Sequence, residues 1–181
     1  MFNFRSTITV KLLSYFLLNP EEKNYLNELA RLLKVDSGNL DRKIKKLEQE
    51  GVFVSEKRGN QRYYFLNKKY PLLKELKKIF EAKYSLAEKI TSVLKKIKGV
   101  KEAYFFGSYA TDSLREGSDI DLLIVGRHKT RDVQEKILEF QRFYKREFNI
   151  INITEDELRE RKKNKDPFIT HLFSNQLIKI I

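Results

Sequence analysis

The chain has 181 residues, 41% of them hydrophobic and 34% charged, with 37 Lys+Arg against 25 Asp+Glu and a formal net charge of +12. That length suits one large domain or two small ones, and the apolar share excludes wholesale disorder. The absence of Cys and the presence of only two His exclude a disulfide framework, a zinc finger, a thiol nucleophile and a His-rich metal site.

The charge is unevenly spread. Residues 1–70 carry 14 basic and 8 acidic side chains, residues 71–98 carry 8 and 3, and residues 99–181 carry 15 and 14. The excess sits in the first half, where a nucleic-acid partner would be expected. A generally lysine-rich surface is the plainer account of the same numbers. The opening run MFNFRSTITVKLLSYFLLN is interrupted by Lys11, is too short to span a bilayer and lacks a small-residue cleavage site. It reads as a core helix, and the protein as cytoplasmic with no membrane partner.

Ser6 or Thr7 is expected to cap a first helix reaching about Leu18, with Val10, Leu13, Phe16 and Leu17 at helical spacing. Asn19-Pro20 ends it. A second helix fits 25–33, with Leu26, Leu29, Ala30 and Leu33 on one face. Asp36 is the expected N-cap of a third helix over 37–50, with Leu40, Ile44 and Leu47 inward and Gly51 as its stop. The period then changes to alternation: Val52-Phe53-Val54 begins a strand, Lys57-Arg58-Gly59-Asn60 is a hairpin turn, and 61–66 returns.

This order, carried by NELARLLKVDSGNLDRKIKKLEQEGVFVSEKRGNQRYYFL, resembles the winged helix-turn-helix family. The resemblance implies DNA as a partner. The start of the third helix would face bases through Ser37, Gly38, Asn39, Asp41 and Arg42, with Lys43 and Lys46 nearer the backbone. Lys57, Arg58 and Arg62 of the wing would reach phosphates or a minor groove. A solvated helix face, a protein-contact module and an RNA binder are the competing accounts.

Pro71 suits a first helical position, and residues 71–98 read as a helical connector of two helices or one bent helix, ended by Gly99. Its first part carries Leu72, Leu73, Leu76, Ile79 and Phe80, and either pairs with its copy in a homodimer or packs within one chain.

Residues 100–126 read VKEAYFFGSYATDSLREGSDIDLLIVG. A strand over 100–106 meets Gly107-Ser108, and a polar loop leads into a second strand over 118–125. Alternation along that strand would put Asp119 and Asp121 on one face, about 7 Å apart, with Ile120 on the other. Two such carboxylates suit Mg²⁺, which keeps positions open for phosphate oxygens. Gly107 lets a phosphate approach the backbone, and Ser108 offers a hydroxyl and an amide.

Gly107-Ser108, ten residues, then Asp119-Ile120-Asp121 resembles the signature of the minimal nucleotidyltransferase domain of the polymerase-beta-like superfamily, from about Val100 to the C-terminus. The resemblance implies Mg²⁺- or Mn²⁺-dependent transfer of a nucleoside monophosphate from a nucleoside triphosphate to a hydroxyl. On it, Asp119 and Asp121 are the catalytic and metal-holding pair, and Gly107 and Ser108 hold the nucleotide. Two departures stand out. Ala110-Thr111-Asp112 replaces the usual Ala-Arg-Gly. The third carboxylate aligns with Asn149, in the strand candidate FNIINIT behind a helix over 131–145; Asn carries no charge and cannot act as a base. Glu147 lies nearby with the parity of an early strand start.

TEDE after Ile153 reads as a capping box, so Asp156 belongs to a helix. A break near Asp166-Pro167, a short helix and the strand-like QLIKII follow. His128 fits a loop and His171 a core position. The expected fold class is α+β: a winged helix-turn-helix (1–70, three helices plus a β-hairpin), a helical connector (71–98) and a mixed nucleotidyltransferase-like domain (99–181). The expected function is a DNA-binding regulator whose second domain binds NTP–Mg²⁺ and transfers a nucleoside monophosphate to a partner. The alternatives are an antitoxin-type protein adenylyltransferase, with a protein as the modified partner, and a catalytically degenerate nucleotide-binding scaffold.

Overall fold

A computed structural model describes residues 6–115 and 117–181. The first five residues of the opening apolar run, and Glu116 in the spacer between Gly107-Ser108 and Asp119, lie outside the described residues. The fold is α+β and divides into two compact units, Met1–Leu86 and Ala87–Ile181. No helix among the described residues is long and apolar enough to cross a membrane.

In the first unit, α1 (Thr7–Leu18) starts at Ser6, whose hydroxyl accepts from the Thr9 amide, and ends at Asn19, whose side chain donates to the Tyr15 carbonyl at 3.0 Å. Its buried face is Leu12, Leu13, Tyr15 and Phe16. Val10 and Leu17, expected inward, are only half-buried. Adjacent bulky rings turned the buried stripe: Phe16 meets Phe53 edge-on at 5.0 Å. The second helix, α2 (Leu26–Leu33), follows a two-residue strand, β1 (Asn24–Tyr25). Asp36 caps α3 (Ser37–Gln49) by accepting from the Asn39 amide at 2.8 Å, and Leu40, Ile44 and Leu47 are buried as the spacing requires. A hairpin, β2 (Phe53–Arg58) and β3 (Gln61–Leu66), follows Gly51. β1 joins its far edge, so the sheet runs β1-β3-β2. The connector's first helix, α4 (Leu73–Tyr84), begins two residues beyond Pro71, and it buries Leu76 and Phe80.

In the second unit, α5 (Leu86–Leu94) leads to Gly99 and β4 (Val100–Phe106). A one-turn helix, α6 (Gly107–Ala110), precedes β5 (Ile120–Gly126); α7 (Thr130–Tyr144) then leads to β6 (Phe148–Ile153). The chain closes with α8 (Glu155–Lys163), α9 (Pro167–Ser174) and β7 (Ile178–Lys179). The sheet order is β6-β5-β4-β7. β4 is antiparallel to β5 and β7, and β5 is parallel to β6 through the α7 crossover. β5 is apolar almost end to end, as a central strand covered on both faces must be. Thr154 and Asp166 cap α8 and α9 through hydrogen bonds from Glu157 and Ile169, and both helices pack on Tyr104, Leu123, Val125 and Ile153.

Two expectations about the second unit fail. His171 is exposed on α9 instead of buried, because Ile169 and Leu172 take the inward positions. The second strand starts at Ile120, so Asp119 precedes it and does not share it with Asp121. The last β4–β5 pair is Phe106 with Asp121. Beyond it the chain turns into α6 at Gly107, which leaves Asp119 no partner on that side.

Candidate functional site

The second unit brings three chain segments together at one end of its sheet. Asp121 is opposite Phe106 on β4 and opposite Asn149 on β6. Register partners share a face, so the Asp121 and Asn149 side chains meet: the Asn149 amide donates to Asp121 Oδ1 at 3.1 Å. On the other flank stands Gly107, with φ +65°. A Cβ built there would lie 2.3 Å from Asp121 Oδ2. Glycine is therefore required twice, by its left-handed backbone and by the carboxylate seated against it.

Asp121 is half-buried, and its carboxyl titrates above the ordinary value. Burial is the main cause, the Asn149 hydrogen bond opposes it, and the negative charge of Asp119 raises it further. Asp119 itself is exposed and close enough to be felt electrostatically. Ser108, the second residue of α6, is half-buried, and its carbonyl accepts from the Ser113 amide at 2.9 Å. The Gly107 carbonyl accepts from the Thr111 amide and hydroxyl, each at 3.2 Å. Thr111, in place of the usual Arg, is spent closing this turn.

No cluster of three or more His, Cys, Asp or Glu side chains gathers among the described residues. The donors at this end are two carboxylates and the Asn149 amide, all offering oxygen. Asp121, partly desolvated, carries a charge that Asp119 repels, and a hard divalent cation bound there would relieve that repulsion. The residues present thus suit the group, with a neutral third donor where a carboxylate would add charge. Glu147 precedes β6, and its carbonyl accepts from the Ile120 amide at 2.9 Å.

One residue escaped the sequence reading. Arg146 is only 8% exposed, and its Nη1 donates to the Arg115 carbonyl at 3.0 Å and the Ser118 carbonyl at 2.8 Å. No local signal marked it: Arg146 lies between the end of α7 at Tyr144 and the start of β6 at Phe148, where neither helical nor strand periodicity applies.

In the first unit, the nucleic-acid candidates fall on two elements. Asn39, Arg42 and Lys46 recur at i, i+3 and i+7 on α3, exposed and opposite its core stripe; Ser37 is exposed at the helix start, and Lys43 is half-buried at the flank. Arg42 donates to Asn39. Lys57 and Arg62 are cross-strand partners on the hairpin. Arg58 pairs with Glu56 and lies 5.3 Å from the Tyr63 ring centre. Arg62 also borders a cleft of about 420 Å³ with Tyr25, Asp41, Lys45 and Gln61, where Lys45 is held by Asp41 at 2.7 Å.

Comparison with known proteins adds the family. No curated protein matches the chain. A solved structure described as a candidate nucleotidyltransferase from Sulfolobus solfataricus is 28% identical, covering 41% of this chain and 69% of its own; its TM-score of 0.28 is too low to carry structural detail across. The nucleotidyltransferase domain model matches residues 72–171. That span is more than half of the chain and contains Gly107, Ser108, Asp119, Asp121 and Asn149, and so this chain belongs to the nucleotidyltransferase domain family.

Proposed function

We propose that this chain binds a nucleoside triphosphate with Mg²⁺ or Mn²⁺ at the Gly107–Asp121 corner and transfers the nucleoside monophosphate to an acceptor hydroxyl, which forms a bond to the α-phosphorus and gives up its proton as the α–β phosphoanhydride bond breaks and pyrophosphate leaves. The observation that carries this reading is the Asp121 carboxylate seated against Gly107 with the charge of Asp119 beside it. When bound, the cation would neutralise phosphate charge and polarise the reacting oxygens. Asp119 and Asp121 are the residues that would hold it. Gly107 keeps a side chain out of the triphosphate's path, and Ser108 offers its amide and hydroxyl to a phosphate oxygen. Asn149 takes no proton, so this chain places no base at that register position and the acceptor's activation is weakened accordingly.

That neutral position favours a second reading, in which the domain binds NTP–Mg²⁺ without efficient turnover, as a sensor or scaffold. A transferase that adenylylates a protein partner is the alternative use of the same corner. The first unit's three helices and β-hairpin, with Arg42 and Lys46 outward on α3 and Lys57 and Arg62 paired on the hairpin, support a winged helix-turn-helix that binds DNA. The whole chain would then be a cytoplasmic regulator joining DNA binding to nucleotide handling, with the connector available for a homodimer.

Calorimetric titration of each nucleoside triphosphate with Mg²⁺ tests the site. Wild type is expected to bind, and Asp119→Ala/Asp121→Ala to lose binding. Equal binding by both would remove the reading. Label transfer from α-labelled ATP to a co-purifying protein separates a transferase from a scaffold.

A further inference from the structure

Asp119 presents a physical problem. It lies outside β5 and exposed, yet a metal-holding carboxylate must be fixed in place. An exposed loop aspartate would otherwise lose conformational freedom each time a cation bound. What holds its backbone is Arg146 and Glu147, two consecutive residues at the entry to β6. On the N-terminal side of Asp119, Arg146 Nη1 donates to the Ser118 carbonyl at 2.8 Å. On its C-terminal side, the Ile120 amide donates to the Glu147 carbonyl at 2.9 Å. Arg146 also reaches the Arg115 carbonyl at 3.0 Å. Arg115 and Ser118 are themselves tied together: the Ser118 amide donates to the Arg115 carbonyl, and the Arg115 amide to Ser118 Oγ, each at 3.1 Å.

We infer that Arg146 is a positioning residue of this site, whose buried guanidinium fixes the peptide ahead of Asp119 and so sets where that carboxylate stands relative to Asp121. The inference rests on the reading of Asp119 and Asp121 as the metal-holding pair. Burying an arginine is costly unless its donors are satisfied, and here one nitrogen serves the two carbonyls that close the turn. That nitrogen carries two N–H bonds in the fixed plane of the guanidinium, whereas a lysine ammonium is a point charge on a flexible stem. Arg146 itself touches no substrate on this account.

The test uses the full chain and Mn²⁺ with a non-hydrolysable ATP analogue, with affinity read by electron paramagnetic resonance of free Mn²⁺. Asp119→Ala, Arg146→Lys and the double variant complete a cycle. Arg146→Lys is expected to weaken Mn²⁺ affinity about tenfold in the wild-type background, the scale seen when a residue orienting a metal ligand is changed. It is expected to cost almost nothing once Asp119 is gone. A purely structural arginine would cost the same in both backgrounds, and that result, or an unchanged wild-type affinity, overturns the inference. Failure of wild type to bind Mn²⁺ and analogue removes the metal-pair reading and the inference with it, whereas wild-type binding without coupling removes the inference alone. Should melting curves show Arg146→Lys unfolded, Arg146→Gln, which keeps a planar N–H donor at the same position, carries the cycle in its place, and equal costs in both backgrounds again overturn the inference.

Discussion

Gly59 on the hairpin of the first unit and Gly107 at the corner of the second both hold a left-handed backbone, with φ +57° and +65°. Around Gly59 a Cβ would meet nothing within 4 Å; at Gly107 it would strike the Asp121 carboxylate. The contrast extends to the surrounding residues. The first unit displays its candidate residues on one helix and one hairpin, mostly exposed, with contacts only between near neighbours such as Arg42 with Asn39 and Lys57 with Arg62. The second unit interlocks its candidates: Gly107, Asp121 and Asn149 come from three segments, and each limits where the others stand. Function carried by an exposed stripe degrades by small steps, and function carried by a packed corner fails at once.

The largest expected effect breaks that contrast if it does not appear. Gly107→Ala adds left-handed strain of about 1–2 kcal/mol and displaces Asp121, so Mn²⁺–nucleotide binding should fall beyond calorimetric detection. Gly59→Ala carries similar strain and should lower the melting temperature while leaving nucleotide binding at the wild-type value. Equal binding in the two variants would show that the Gly107 contact is not functional.

Next in size is Asn149→Asp. The hydrogen bond its amide donates to Asp121 Oδ1 at 3.1 Å would give way to a pair of carboxylates, which destabilises the cation-free protein and strengthens cation binding. A gain of about tenfold in Mn²⁺ affinity is expected, together with faster label transfer if transfer occurs. On the α3 face, Arg42→Ala and Lys46→Ala should each weaken DNA binding by a few-fold in a gel shift. Each should lower the slope of log affinity against log salt by about one where a phosphate contact is lost. A complex unmoved by both substitutions would remove α3 from the interface.

The smallest effect is a titration. Asp121's carboxyl is held above its ordinary value by burial, with Asp119 adding to the rise. A raised carboxyl means that its contribution to the cation-free fold is complete below the unfolded value and is lost as pH rises through the folded one. Cation binding needs the ionised form, so affinity should fall on acidification at a higher pH than an ordinary aspartate would give. Asp119→Asn should move that fall to lower pH, and a titration insensitive to Asp119 would contradict the proximity of the two charges.

Much of this molecule was legible in local pattern. Asp36 and Thr154 announce helix starts because a cap is satisfied within three residues. Leu40, Ile44 and Leu47 mark a buried face because helical geometry is periodic, and the strand 100–106 and the hairpin return 61–66 emerge at their observed bounds. The spacing of Gly107-Ser108 from Asp119 and Asp121 singles out Gly107 and Asp121, which the structure places against each other. Tertiary structure alone decided the rest. Tyr25 joins a sheet because β3, some forty residues on, presents an open edge. Asp119 falls outside β5 because the neighbouring strand has already turned into α6. Asn149 meets Asp121, and Arg146 is buried beneath the loop, because a parallel pairing across the α7 crossover sets one register out of several that the apolar pattern would allow. Caps and periodicity are short-range energies written in adjacent residues, whereas register and the burial of a charge depend on which distant segment completes the hydrogen bonds.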